Sequence, residues 1–197
     1  MSTFFYTSDL HFCHDLVADL RGFASALEHD EHLVDLWAQT VRPQDTVWVL
    51  GDLTGGRSRE AELSTLARLR SLPGTKRLVA GNHDTVHPMH SPSRDADWVR
   101  QWIDTFASVQ TLAMRKTNGM RLMLSHFPLD GPGGDHTETN RHIEWRPAKT
   151  DHWLVHGHTH RADQFVHDKQ VHVGFDAWGR FVPEADLVAL IRNAEVS

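Results

Sequence analysis

Residues 78–84, Leu78-Val79-Ala80-Gly81-Asn82-His83-Asp84, decide how this chain is read. Three apolar residues make a buried strand, and Gly81 lets the backbone turn sharply. Asn82 and His83 then arrive together at the strand's carboxyl end, where open α/β sheets place their ligands. Four other apolar runs stop the same way: at Asp9 and His11, at Asp52, at His126, and at His158 and His160. Asp52, Asn82 and His158 each directly follow a glycine, whose freedom at unusual backbone angles is expected to turn the next side chain inward over the strand tips.

The neighbouring pattern gives those strands a frame. Upstream, residues 3–8 alternate as a first strand, 14–20 make a short helix, 29–41 a longer one, and 45–50 a second strand. Residues 58–72 are amphipathic, with Leu63, Leu66, Leu69 and Leu72 on one face, and Pro73-Gly74 ends that helix. Downstream, 85–94 is a loop and 95–105 a helix. Asn118-Gly119 then turns a hairpin between 108–116 and 120–125. Residues 129–150 form a long polar loop, 152–156 a strand, 163–174 a hairpin turning at Asp168-Lys169, and Pro183 to Ala194 a closing helix. Strands alternate with helices early and form hairpins late, which gives one mixed, layered α/β domain over residues 1–197.

Composition narrows the function. A net charge of −6 argues against a long nucleic acid held electrostatically. No apolar run reaches membrane-spanning length, the N-terminus lacks a signal-peptide pattern, and Cys13 is the single cysteine, so a cytoplasmic setting is expected. There are 16 His against 20 Lys plus Arg, and His is the commonest metal ligand.

The strand-end set combines oxygen and imidazole donors without thiolate, which suits Mn, Fe, Zn or Ni better than Ca or Mg. Seven donors, Asp9, His11, Asp52, Asn82, His126, His158 and His160, exceed one tetrahedral shell. They suit two divalent transition-metal ions sharing a carboxylate, a known arrangement for phosphoryl chemistry. The competing reading makes Asp9, Asp52 and Asn82 ordinary turn residues, a role Asp and Asn favour.

Taken in order, D-x-H, G-D, G-N-H-D, a lone H after a strand, and G-H-x-H resemble the calcineurin-like metallophosphoesterases, with the motifs spanning residues 9 to 160. The stretch T-S-D-L-H-F-C-H is similar to the small bacterial and phage members, which often carry glycine where Cys13 stands. The resemblance implies a four-layer αββα sandwich with two mixed β-sheets flanked by helices. It implies Asp9, His11 and His160 on a first metal, Asn82, His126 and His158 on a second, and Asp52 bridging. It further implies in-line attack by a hydroxide held between the metals, His83 contacting phosphate or protonating the leaving group, and Asp84 orienting His83.

The expected substrates are small phosphate esters or nucleotides, with diesters favoured and 2′,3′-cyclic nucleotides first among them. Phosphomonoesterase, protein phosphatase or nucleotide pyrophosphatase activity is the alternative, and a non-catalytic scaffold is disfavoured because the ligand set is intact. No membrane partner is expected. His14, Arg141 and Arg146 are the candidate substrate contacts, the arginines from loop 129–150, which otherwise reads as plain surface. Cys13 is expected as a buried filler, and His156 as a strand residue facing a neighbouring layer. His87, His90, His136, His142, His152, His167 and His172 are expected mostly at the surface. The leucines at 63–72 are expected in the core, and the tryptophans as core or loop anchors.

Overall fold

The computed structural model describes residues 2–56, 58–131, 140–164 and 166–196. The chain opens with β1 (Phe4–Thr7), α1 (Asp15–Leu20), α2 (Ala26–Thr40), β2 (Thr46–Val49), α3 (Arg59–Ser71) and β3 (Thr75–Val79). It continues with α4 (Ala96–Ile103), β4 (Val109–Gln110), β5 (Leu112–Thr117), β6 (Met120–Ser125) and β7 (Trp153–His156). It closes with β8 (Val166–His167), β9 (Gln170–His172), α5 (Phe175–Trp178), β10 (Val182–Pro183) and α6 (Glu184–Val196). Expected and observed boundaries agree to within a few residues for most elements. Helix α2 starts earlier than its apolar spacing suggests, because the Ser25 side chain caps it at the Glu28 N–H while Glu28 reaches back to the Ala24 N–H.

Two mixed sheets result, flanked by helices, as the motif pattern implies. One has the order β10-β1-β2-β3-β4 and the other β5-β6-β7-β9-β8. Strands β1, β2, β3 and β4 are parallel, and β10 joins β1 antiparallel. In the second sheet β6, β7 and β9 are parallel, with β5 and β8 antiparallel at the edges. The run read as one strand over 108–116 is two strands: β4 pairs in the first sheet, and after Thr111 the chain crosses to pair as β5 in the second. Apolar alternation alone cannot register such a crossing, since both pieces are strand-like.

Strand periodicity explains the packing. Phe5, Val47, Val49 and Leu78 face the helices, where they meet Leu33 and Trp37 of α2, Leu66 and Leu69 of α3, and Trp98 and Trp102 of α4. Tyr6, Trp48, Leu50 and Val79 face the other way, onto Leu122, Leu124, Trp153, Val155 and Val171 of the second sheet, with Leu187 and Ile191 of α6. Of the leucines expected in the core over 63–72, Leu66 and Leu69 are buried, and Leu63 lies exposed. Register does the positioning: Thr7 lies beside Val49, and Val49 beside Leu78, so the carboxyl ends of β1, β2 and β3 finish level. In the second sheet Leu124 lies beside Val155. The segments that follow these strands therefore open onto one edge shared by both sheets. No helix among the described residues is long and apolar enough to cross a membrane.

Candidate metal centre

All seven donors meet at that edge. The ligand atoms fall into two groups. In one, His11 Nε2 lies 3.1 Å from His160 Nε2, and His160 Nε2 lies 3.9 Å from an Asp9 oxygen. In the other, His126 Nε2 lies 3.0 Å from Asn82 Oδ1 and 3.2 Å from His158 Nδ1. Asp52 Oδ2 stands between them, 4.0 Å from His11 Nε2 and 3.5 Å from His126 Nε2. Such spacings suit donors about 2.0–2.2 Å from a shared cation. Asp9, assigned by motif to the first group alone, also has a carboxylate oxygen within 4.8 Å of ligand atoms of Asp52 and His126, so it stands near both groups.

The protons test whether a cation fits. His126 Nδ1 lies 2.8 Å from the Leu50 carbonyl oxygen, which can only accept, so Nδ1 carries the hydrogen and Nε2 presents a lone pair. That lone pair faces the acceptor Asn82 Oδ1 and the Asp52 carboxylate. His160 repeats the pattern: Nδ1 donates to Asp176 Oδ2 at 2.9 Å, and Nε2 faces His11 and Asp9. Lone pairs converging on lone pairs repel unless positive charge lies among them. A ring that binds metal through one nitrogen and donates the other N–H to a carbonyl or carboxylate is the usual supported metal ligand. The donor set fits a divalent metal ion.

Electrostatics agree. Burial would raise Asp52, but the rings of His126, His83 and His11 hold its carboxyl well below the usual range. Burial holds His11 neutral, far below the ordinary histidine value, which keeps its lone pair available. His160 resists its own desolvation through Asp176 and Asp9 and rises to about 9, a measure of the negative charge gathered around it.

The backbone conformation is unusual. Asp9, His11, Asp52, His158 and His160 all have positive φ, between 48° and 71°. The left-handed strain therefore sits on the ligands themselves. Of the preceding glycines Gly51 also takes φ +90°, whereas Gly81 is needed for room, since a Cβ there would overlap the Asp52 carboxylate and lie 2.8 Å from His126 Nδ1. Strain of this kind collects at functional sites. Cys13 is also left-handed, at φ +57°, which explains why glycine suits that position. It is exposed rather than buried, because the turn points it outward with its N–H donated to Asp30.

His83 reaches the centre from the rim. Its ring Nε2 is 3.9 Å from Asp52 Oδ2 and its side chain is 37% exposed, while its backbone N–H donates to Asp52 Oδ1 at 2.9 Å. Asp84 lies differently from its implied role. Its buried carboxylate accepts the N–H groups of Gly81, Asp52 and Leu53 at 2.7, 3.0 and 2.9 Å, so it clamps two ligand loops together rather than orienting the His83 ring. Burial and the Asp52 charge push Asp84 up to about 7.

A cavity of about 450 Å³ adjoins the first donor group, bounded by His11, His83, His160 and Asp176 on one side and by His14 and α1 on the other. His14 caps α1 and stands edge-on to His11. Arg141 and Arg146 do not line this cavity. Arg146 donates to the carbonyls of Leu129 and Arg141 and so holds the loop to itself. Residues 132–139 of that loop, His136 among them, lie outside the described residues.

Sequence reading missed the support. Asp176 accepts from His160 and from Arg21 Nε at 2.8 Å, and Arg21 also donates to the Asp9 and Leu10 carbonyls. His90 Nε2 donates to the Asn82 carbonyl at 2.7 Å. Asp176 comes two places after Gly174, with Phe175 between them, so it lacks the glycine-then-donor spacing that marked Asp52 and Asn82. His87 and His172, expected at the surface, are buried. His87 packs against Trp145 and Phe127, and His172 pairs in register with His156 beneath the centre.

The chain is similar to known proteins over nearly its whole length. It is 37% identical over 202 residues to the Gene 66 protein of Mycobacterium phage L5, covering 98% of this chain and 96% of that one. It is 38% identical over 204 residues to the Gene 66 protein of Mycobacterium phage D29, covering 99% and 98%. Its fold matches a protein of unknown function from Aquifex aeolicus with a TM-score of 0.69 at 21% identity, covering 97% of this chain and all of that one. Residues 4–175 match the family model of the calcineurin-like phosphoesterase superfamily domain. With that match laid over the converging donors, the chain belongs to the calcineurin-like phosphoesterase superfamily.

Proposed function

We propose that this phosphoesterase hydrolyses small phosphodiesters using two divalent transition-metal ions, manganese first among them, with iron, zinc or nickel able to use the same donors. The observation that carries the reading is the pair of donor groups meeting at Asp52. Asp9, His11 and His160 would hold one ion, Asn82, His126 and His158 the other, and Asp52 would serve both. Such ions, when bound, supply Lewis acidity and bring the pKa of water near neutrality. The chain's own groups do the rest. His83, half exposed between Asp52 and the cavity, is placed to contact the phosphate and to give a proton to the departing alkoxide oxygen. Asp84 and Asp176 keep the donors in register.

Preference for diesters is supported by the cavity wall. Among the described residues lining it, none is Lys or Arg, and its one carboxylate, Asp176, is paired with Arg21. A monoester dianion would be served by extra cations there; a diester carries one charge and needs fewer. Small cyclic diesters, 2′,3′-cyclic nucleotides foremost, fit this reading. The test is a direct comparison of bis(p-nitrophenyl) phosphate with p-nitrophenyl phosphate, with Mn²⁺ supplied, followed by 2′,3′- and 3′,5′-cyclic nucleotides. Faster turnover of the diester is expected. A monoester hydrolysed more efficiently than every diester would replace this reading with a phosphomonoesterase.

A further inference from the structure

We infer that the outer face of α1 is a subsite for an apolar, ring-sized ester group on the substrate. This rests on the phosphodiesterase reading above and adds what lies on the other side of the phosphorus. Leu16 and Leu20 are four residues apart and therefore share one helix face. Both are unusually open for leucine, 61% and 76% exposed. A single exposed leucine carries no information. These two, with Val17 beside them, form one wall of the cavity whose other wall is His11, His83 and His160. A phosphate held against those imidazoles must send an ester substituent into the remaining space. At about 450 Å³ the cavity is of the size that takes a small organic ligand.

The wall is also fixed in place. Ala18 buries the inner face of α1, and Arg21 ends the helix. The Arg21 guanidinium bonds Asp176 and the Asp9 and Leu10 carbonyls, so one side chain ties the apolar wall to two residues of the metal centre. A preorganised apolar surface beside a charge-binding centre selects substrates that carry both a phosphate and a ring. The occupant inferred here is that ring, an aryl group or a nucleobase.

Isothermal titration of the Mn²⁺-loaded protein with phenylphosphonate and methylphosphonate tests this without requiring turnover. Both probes present the same anion, and only one carries a ring. The expected result is about tenfold tighter binding of phenylphosphonate, as partial burial of one ring gives. In the double variant Leu16→Ser, Leu20→Ser the ratio should fall to within about twofold, with methylphosphonate affinity unchanged. Equal affinities in the wild type, or a ratio untouched by the double variant, would overturn the subsite while leaving the phosphodiesterase reading in place. Failure of methylphosphonate itself to bind would remove both. Equal affinities together with a dimer that the double variant splits would assign the two leucines to a second copy of the chain instead.

Discussion

The two donor groups that meet at Asp52 are built differently. Around His126 and His158 the site is closed at the two rings: both are buried, and His126 is held by a backbone carbonyl that no side-chain substitution can remove. Around His160 the site is open. Its side chain is 27% exposed, it borders the cavity, and it is held by a carboxylate from α5 that is itself held by an arginine from the end of α1. The difference separates two settings. The closed group is set in the body of the fold, and the open group borders the cavity.

His83 lies at the open side and sharpens the comparison most. His83→Ala should lower kcat by about 10²–10⁴, the range for loss of a general acid, while leaving metal content at wild-type level. Metal analysis beside steady-state kinetics checks this; full activity would remove His83 from the reaction, and lost metal would make it a ligand.

Asp176→Asn should act on one group only. Loss of this support is expected to weaken metal binding by about 10–100-fold at the His160 side and to leave the His126 side unchanged. Competitive titration with a metal chelator would then show one weakened site and one intact. Equal weakening at both would mean that the two groups cannot be told apart by their support.

The smallest effect concerns the closed side. His87 packs behind His126 through Phe127, and burial, with the nearby His126 and His90, lowers it from 6.5 to about 4. The unfolded chain takes up that proton near pH 6.5 and the folded chain only near 4. The contribution of His87 is therefore complete above pH 6.5 and is lost as pH falls toward 4. Urea melts between pH 7 and 4 should show a pH slope smaller by up to about one proton in His87→Leu. An unchanged slope would mean that His87 is reached by solvent and that this side is less closed than described.

Much of this was legible in the sequence, and the reason is local. Asp9, Asp52 and Asn82 follow β-type runs, and parallel strands with level ends bring such residues together whatever the loops do. The split of β4 from β5 at Thr111 was not legible, because sheet membership depends on partners far along the chain. Arg21 and Asp176 escaped because each supports a ligand from a different element, 155 positions apart. The role of Asp84 was misread for a related reason: its three backbone partners come from two strand ends that only the folded sheet makes neighbours. The buried His156 and His172 pair was half visible, since one lies on a clear strand and the other in a short hairpin arm.

The central claim is that Asp52 joins two metal sites. Anomalous diffraction from crystals soaked in Mn²⁺ tests it directly. The account predicts two peaks, one among Asp9, His11 and His160 and one among Asn82, His126 and His158, with the Asp52 carboxylate between them, and neither peak at full strength in Asp52→Ala. A single peak in the wild type, or two full peaks in the variant, would contradict it.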